Sequence, residues 1–269
     1  MKASLDVGIE GVGLWAAELP DWETGRQVLC GKVENAAVPA SRPAPGLLAP
    51  TERRRAPESV LLAIEVAQQA CAMAERDPRE LPNVFASAYG DLAINDYLCA
   101  TLVRAPTEIS PTRFHNSVHN APAGYWTIAT GCMAASTAVS AGAATFGAGL
   151  LEAALLASTE SCPVLLAAYD IGAVGPIADV VACRASFGVA FILAPPSPRA
   201  FARLRLRPQT TAVAELAPEA SVLHASYRDN PAARSLPLLT ALARRESCTQ
   251  VLSAGPQLNL RMEILPWSK

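Results

Sequence analysis

Residues 117–149 read SVHNAPAGYWTIATGCMAASTAVSAGAATFGAG. A His-Asn pair opens the stretch. A Gly-bounded apolar segment over 120–130 follows, and its spacing predicts a helix. The run of small and β-branched residues from Ala135 to Ala141 predicts a strand. The Ala- and Gly-rich segment 142–158 predicts a helix buried on most sides. Helix, strand, helix in this order implies a layered α/β sheet.

The same alternation extends outward. Upstream, 3–15 predicts an opening strand that Pro20 ends, and Asp21 is placed to cap a short helix through Leu29. A Pro-rich connection spans 36–50. Apolar residues at Val60, Leu61, Ile64, Ala67 and Cys71 give helical spacing over Pro57–Ala74, with Pro57 suited to the first turn. NVFASAYG (83–90) predicts a strand, and DLAINDYLCATLVRA (91–105) a helix starting at Asp91. Downstream, 163–171 and 185–195 predict two more strands. PPSPRA (195–200) reads as a linker. It divides the chain into a domain over 1–195 and a small α+β extension over 196–269. The extension holds strand candidates FARLRLR and LNLRMEIL around a helix near 235–246.

Composition excludes several classes. Of 269 residues, 51% are hydrophobic and 17% charged, so a large core is expected rather than disorder. A net charge of −2 gives no reason to expect nucleic acid as a partner. The N-terminus has early acids and no long apolar core, unlike a signal peptide. The most membrane-like window, 138–157, carries Glu152 and lacks flanking Lys or Arg. A core helix is expected there, not a membrane span. Seven cysteines without a CxxC fit reduced thiols and a cytoplasmic setting.

Each candidate for chemistry has a plain reading beside it. GVGLWA (11–16) matches G-x-G-x-x-A, but Pro20 falls where the required helix should run. A glycine turn closing the first strand fits better, and no cofactor is expected. His115 and His119 stand four apart, without the Glu of H-E-x-x-H or a third ligand. Asn116, Ser117 and Asn120 suggest instead a hydrogen-bonded loop and helix cap, so no metal is expected. ERRRAPE (52–58) reads as a solvated face or as docking for an acidic partner. Cys132 could be a nucleophile with His119 as its base, although it follows Gly131 at a helix end. No G-x-S-x-G occurs among the 269 residues.

SPTRFHNSVHNAPAGYWTIATG, with GVGLW before it and FASAYGD between, resembles the N-terminal half of β-ketoacyl synthases over about residues 5–195. The likeness is greatest to the ketosynthase-like chain-length factors of bacterial arylpolyene pathways. It implies a thiolase-like fold, about half of a ketosynthase. Family ketosynthases carry their nucleophile as the Cys of T-A-C. Laid on this chain without gaps, that pattern puts Ala143 at the nucleophile position, in SAGAAT. A slip of one gives Gly142 or Ala144, and neither is a thiol. The family's two decarboxylating histidines have no match either. His224, in VLHASY, lacks their setting.

The resemblance therefore implies a scaffold without the chemistry. It suggests a non-catalytic subunit paired with an active β-ketoacyl synthase and visited by an acyl carrier protein, bounding the acyl tunnel. The strand 135–141 would pair across the dimer axis. Phe114, Tyr125, Trp126, Met133, Thr137 and Val139 are the tunnel or interface candidates. His115, Asn116, Ser117, His119, Asn120 and Gly124 form the structural motif. Two other readings stand beside this one, a Cys132-dependent acyltransferase and a binder of a small lipid-like ligand.

Overall fold

The structure, a computed structural model, describes residues 4–33, 42–210 and 225–266. His224 lies outside them. Strand β1 (Leu5–Ala16) leads into α1 (Trp22–Leu29), where Asp21 Oδ1 accepts from the Thr24 amide at 2.7 Å as expected of a cap. The arginines of the basic run belong to a short helix, α2 (Pro50–Arg55), with Arg54 and Arg55 exposed. Next come α3 (Glu58–Ala74), β2 (Asn83–Ala86), α4 (Leu92–Arg104), α5 (Pro111–Asn116) and α6 (Ala121–Thr130). The quoted stretch continues as β3 (Ser136–Val139) and α7 (Thr145–Thr159). β4 (Val164–Asp170), β5 (Phe187–Ala194), β6 (Ala202–Gln209), α8 (Leu236–Arg244), β7 (Cys248–Gly255) and β8 (Leu258–Pro266) complete the order.

The eight strands of the described residues form one sheet, ordered β3-β2-β4-β5-β1-β6-β8-β7. β2 runs parallel to β3 and β4, and every other neighbouring pair is antiparallel. The central strands are buried on both faces, which is why they read as unbroken apolar runs. Along β4, Leu165, Ala167 and Tyr169 face the α3 layer with Phe85 and Trp126. Val164, Leu166 and Ala168 face the α7 layer with Phe146, Leu150 and Phe191.

The glycines of GVGLW do not make a turn. Gly11 and Gly13 sit inside β1, directly under α3. A Cβ on Gly13 would lie 1.9 Å from the Val66 carbonyl oxygen, and one on Gly11 would lie 2.3 Å from that of Ala70. The helix backbone rests on the strand because no side chain intervenes.

Helix α7 carries the one stretch among the described residues long and apolar enough to cross a membrane, 142–159. Its Phe146, Leu150, Ala153, Ala154 and Ala157 are fully packed against the sheet, so it is a core helix. Gly147 lets it touch β7, since a Cβ there would meet the Ser253 carbonyl oxygen at 2.0 Å.

The expected boundary at 195/196 is crossed by the sheet. β6 pairs with β1 from Leu5↔Leu206 to Ile9↔Ala202, and β8 and β7 follow it outward. Leu204, Leu239 and Met262 share one hydrophobic cluster with Val12 and Leu150.

Candidate functional site

Two parallel strands end beside each other, with a polar residue at or just after each end. Ser87 follows β2, and Asp170 closes β4. Asp170 Oδ1 accepts from the Ser87 hydroxyl at 2.9 Å, the Ala88 amide at 2.9 Å and the Tyr89 amide at 3.1 Å. Its Oδ2 is buried without a partner. Burial pushes the Asp170 carboxyl up to about 7, against the pull of those three donors. The buried Asn230 amide donates to the carbonyls of Asp170 (2.9 Å) and Ala185 (2.8 Å). His119 Nε2 lies 2.8 Å from the Ser87 carbonyl oxygen. Ser87, Asp170 and Asn230 were not singled out from sequence. The available signal was a polar residue ending each apolar run, in VFAS and LLAAYD.

His119 thus ties the loop between α5 and α6 to the end of β2. His115 is exposed near the end of α5, and that helix stops at Asn116, so the two histidines do not share a helix. Asn116 is buried and accepts from the Tyr125 hydroxyl at 3.3 Å. The Ser117 hydroxyl donates to the Phe114 carbonyl at 2.8 Å. Asn120 stands at the cap position of α6, yet its side chain makes no capping bond. The side-chain cap in this region is Ser110, accepting from the Arg113 amide at the start of α5.

Between β3 and α7 the chain makes a tight turn, Gly142–Ala144. Gly142 has φ +56°, a left-handed conformation suited to glycine. Thr145 Oγ1 fixes the turn, accepting from the Ala141 amide at 2.9 Å and donating to the Gly142 carbonyl at 2.7 Å. Ala143 is exposed here, and a Cβ on Gly142 would meet nothing within 4 Å. Small residues at this turn would let backbones approach closely, but no described backbone packs against Gly142.

Cys132 is buried beside the start of β2. Its thiol donates to the Leu81 carbonyl at 3.5 Å and lies 3.8 Å from Asn83 Nδ2. His119, its supposed base, is engaged with Ser87. Burial pushes two other thiols, Cys71 and Cys183, up to about 12.

The interface candidates divide. Phe114 is 63% exposed and Met133 94%, and Ile128 on α6 joins them at 86%. Trp126 belongs to the core instead. It is fully buried 6.3 Å from the Phe85 ring and is out of reach of any partner. It reads as a surface aromatic only because α6 is apolar nearly all round. Thr137 and Val139 lie half-buried on β3, whose outer edge has no strand beside it among the described residues. A groove of about 590 Å³ runs along α6, lined by Leu47, His115, Val118, Gly124, Tyr125 and Ile128.

The family model described as the N-terminal domain of beta-ketoacyl synthase matches residues 30–253. The chain belongs to the β-ketoacyl synthase family. No curated protein sequence matches it. Its fold is the thiolase-like one of solved ketosynthases. It is similar to a chain of the ketosynthase ApeO in complex with its chain length factor ApeC from Xenorhabdus doucetiae. That likeness has a TM-score of 0.73 and 22% identity, over 96% of this chain and 99% of that one. The ishigamide ketosynthase/chain length factor gives 0.72 and 14%, over 98% and 100%. For the PfaC keto synthase-chain length factor the values are 0.63 and 10%, with all of this chain on 43% of that one. This family member thus spans 43% of the PfaC chain and 99% of the chain in the ApeO complex.

Proposed function

We propose that this chain is a non-catalytic, ketosynthase-like chain-length factor. It pairs with an active β-ketoacyl synthase in type II fatty acid or polyketide assembly, of the arylpolyene kind, in the cytoplasm. The observation that carries the reading is the turn Gly142–Ala144. It occupies the strand-to-helix position next to a strand that is at the sheet's edge among the described residues, and it offers no nucleophile. Without a thiolate there, no acyl-enzyme forms. The edge of β3 and the exposed Phe114, Ile128 and Met133 favour a covered surface. The setting of Cys132 speaks against the acyltransferase reading, because a buried thiol bonded to a carbonyl lacks a base. Phe114, Tyr125 and Met133 then stand where rings and chains can end an apolar tunnel.

The test is reconstitution. The chain is co-expressed with a full-length ketosynthase and given acyl and malonyl carrier proteins. The pair should condense, the chain alone should not, and the two should co-purify. Acylation of Cys132 above background, or condensation by the chain alone, contradicts the proposal.

A further inference from the structure

Strand β1 changes neighbours part-way along. β6 pairs with it only from Leu5 to Ile9, whereas β5 runs beside it to Ala16. A register shift between Ile9 and Gly11 falls where β6 departs. Beyond that point two β1 amides donate to side chains of α3. The Leu14 amide donates to Gln69 Oε1 at 3.0 Å, and the Val12 amide to Met73 Sδ at 3.3 Å.

The two acceptors are unlike. Gln69 is held in place, because its Nε2 donates to the Pro20 carbonyl at 3.0 Å and to Glu65 Oε1 at 2.9 Å. Met73 offers only a thioether, a weak acceptor. It is 43% exposed and lines a cavity of about 880 Å³ with Val12, Trp22, Arg199, Phe201 and Arg245. Met262, by contrast, is 2% exposed in the core, and Met133, at 94%, holds no hydrogen bond among the described residues. Met73 is therefore the described methionine that solvent reaches and whose sulfur is bonded to the sheet.

We propose that Met73 is a site of reversible oxidation by hydrogen peroxide, at which the sulfoxide takes over the bond to the Val12 amide. One sulfur lone pair faces the Val12 N–H, and the other is left for the oxidant. It attacks a peroxide oxygen, and the S–O bond forms as the O–O bond breaks. The sulfur gives up two electrons. Hydroxide departs and becomes water by taking the proton of the transferred oxygen. The sulfoxide is polar, and its oxygen is a full acceptor where the sulfur was a weak one. A bond made through the added oxygen needs the sulfur to sit farther from the amide. The cavity gives this unbranched side chain the room to draw back. Oxidation thus tightens this stretch of β1 against α3, and methionine-sulfoxide reductases reverse it. Neither β3 nor α6 takes part, so the site does not depend on pairing with a ketosynthase.

The test treats the full chain with hydrogen peroxide after the exposed Cys99 has been capped with iodoacetamide. Peptide mass mapping should show Met73 gaining one oxygen roughly tenfold or more ahead of Met262, as exposure dictates. The two methionine-sulfoxide reductases, one for each epimer, should together remove it. Hydrogen exchange of the Val12 amide, followed by NMR, should slow by about twofold to tenfold in the oxidised chain, the range that one stronger hydrogen bond gives. Met73→Leu is a volume-conserving change that keeps the fold. In it the Val12 amide should exchange faster than in the parent, and peroxide should not alter that rate. The proposal fails if Met73 oxidises no faster than Met262, or if the reductases leave its oxygen in place. It fails equally if Val12 exchange is unchanged or faster after oxidation, which would mean that the sulfoxide turns to solvent. Slowing of Val12 exchange by peroxide in Met73→Leu would assign the effect to another residue and overturn it.

Discussion

The Ser87 hydroxyl donates to Asp170 Oδ1 over 2.9 Å and joins the C-terminal ends of β2 and β4 beneath the α5–α6 loop. Through the Ser87 carbonyl the same residue holds His119. The HNSVH motif is thus anchored to the sheet by a hydrogen bond to the backbone.

Asp170 makes stability depend on pH. Burial raises its carboxyl from 3.8 to about 7, so the folded chain binds the proton more tightly than the unfolded chain. The stabilisation is complete below about pH 4, declines as pH rises towards 7, and is gone above it. Asp170→Asn keeps an acceptor for Ser87 and cannot ionise. It should flatten the profile and melt higher than the parent at pH 8. Urea unfolding of both proteins from pH 4 to 8 measures this. Parallel profiles would mean that Asp170 stays ionised in the fold.

Gly13 should tolerate no side chain. In Gly13→Ala the new methyl meets the Val66 carbonyl, which belongs to helix backbone and cannot swing aside. Overpacking of this kind costs about 1–3 kcal/mol or more. Gly124→Ala, where a Cβ would meet nothing within 4 Å, is the contrast and should cost under about 1 kcal/mol. Chemical denaturation of the two variants decides it.

Much of this was legible in the sequence, for physical reasons. The Asp21 and Asp91 caps, the 57–74 periodicity and the four apolar strands are local signals, and the structure has an element at each. β7 was missed because CTQVLSAG mixes polar and apolar residues without strict alternation, as an outer strand can. The role of Gly11 and Gly13 was misread because it depends on a helix about 50 residues downstream. Burial of Trp126 was equally invisible, since a helix apolar on most sides does not show which side meets the sheet. Asp170 escaped notice because its partners come from β2, far away in the chain.

Trimming aromatics should separate core from surface. Trp126→Ala empties a fully buried site beside Phe85 and should cost about 3–5 kcal/mol. Phe114→Ala removes an exposed ring and should stay within about 0.5 kcal/mol of the parent. If Phe114 ends the tunnel, that variant still forms the complex and yields a longer polyene, seen as red-shifted absorption and higher product mass. Unchanged product length across Phe114, Tyr125 and Met133 variants would make the chain a stabiliser of its partner and not a ruler.

Thr137→Glu probes the edge strand. β3 has no strand on its outer side among the described residues, so the free chain should accept the charge with little change in melting temperature. In a complex the same carboxylate would be buried and unpaired, a cost of several kcal/mol. Co-purification with the ketosynthase should be lost while the far-ultraviolet spectrum is kept. Retained co-purification would place the interface elsewhere.

Ala143→Cys probes the turn itself. Ala143 is exposed, so the variant should fold, and Ala143→Leu should not overpack it. The new thiol would stand just before the N-terminus of α7, where the helix dipole favours a thiolate. It should therefore react with a maleimide at least as fast as the exposed Cys99. Addition of the ketosynthase should protect the new thiol and leave Cys99 reactive if this turn faces the partner. Equal labelling with and without the partner would place the turn outside the interface. Even labelled quickly, the variant should form no condensation product alone, because a thiolate accepts an acyl group but does not decarboxylate the extender. Condensation by Ala143→Cys alone would show that this chain holds decarboxylating groups of its own.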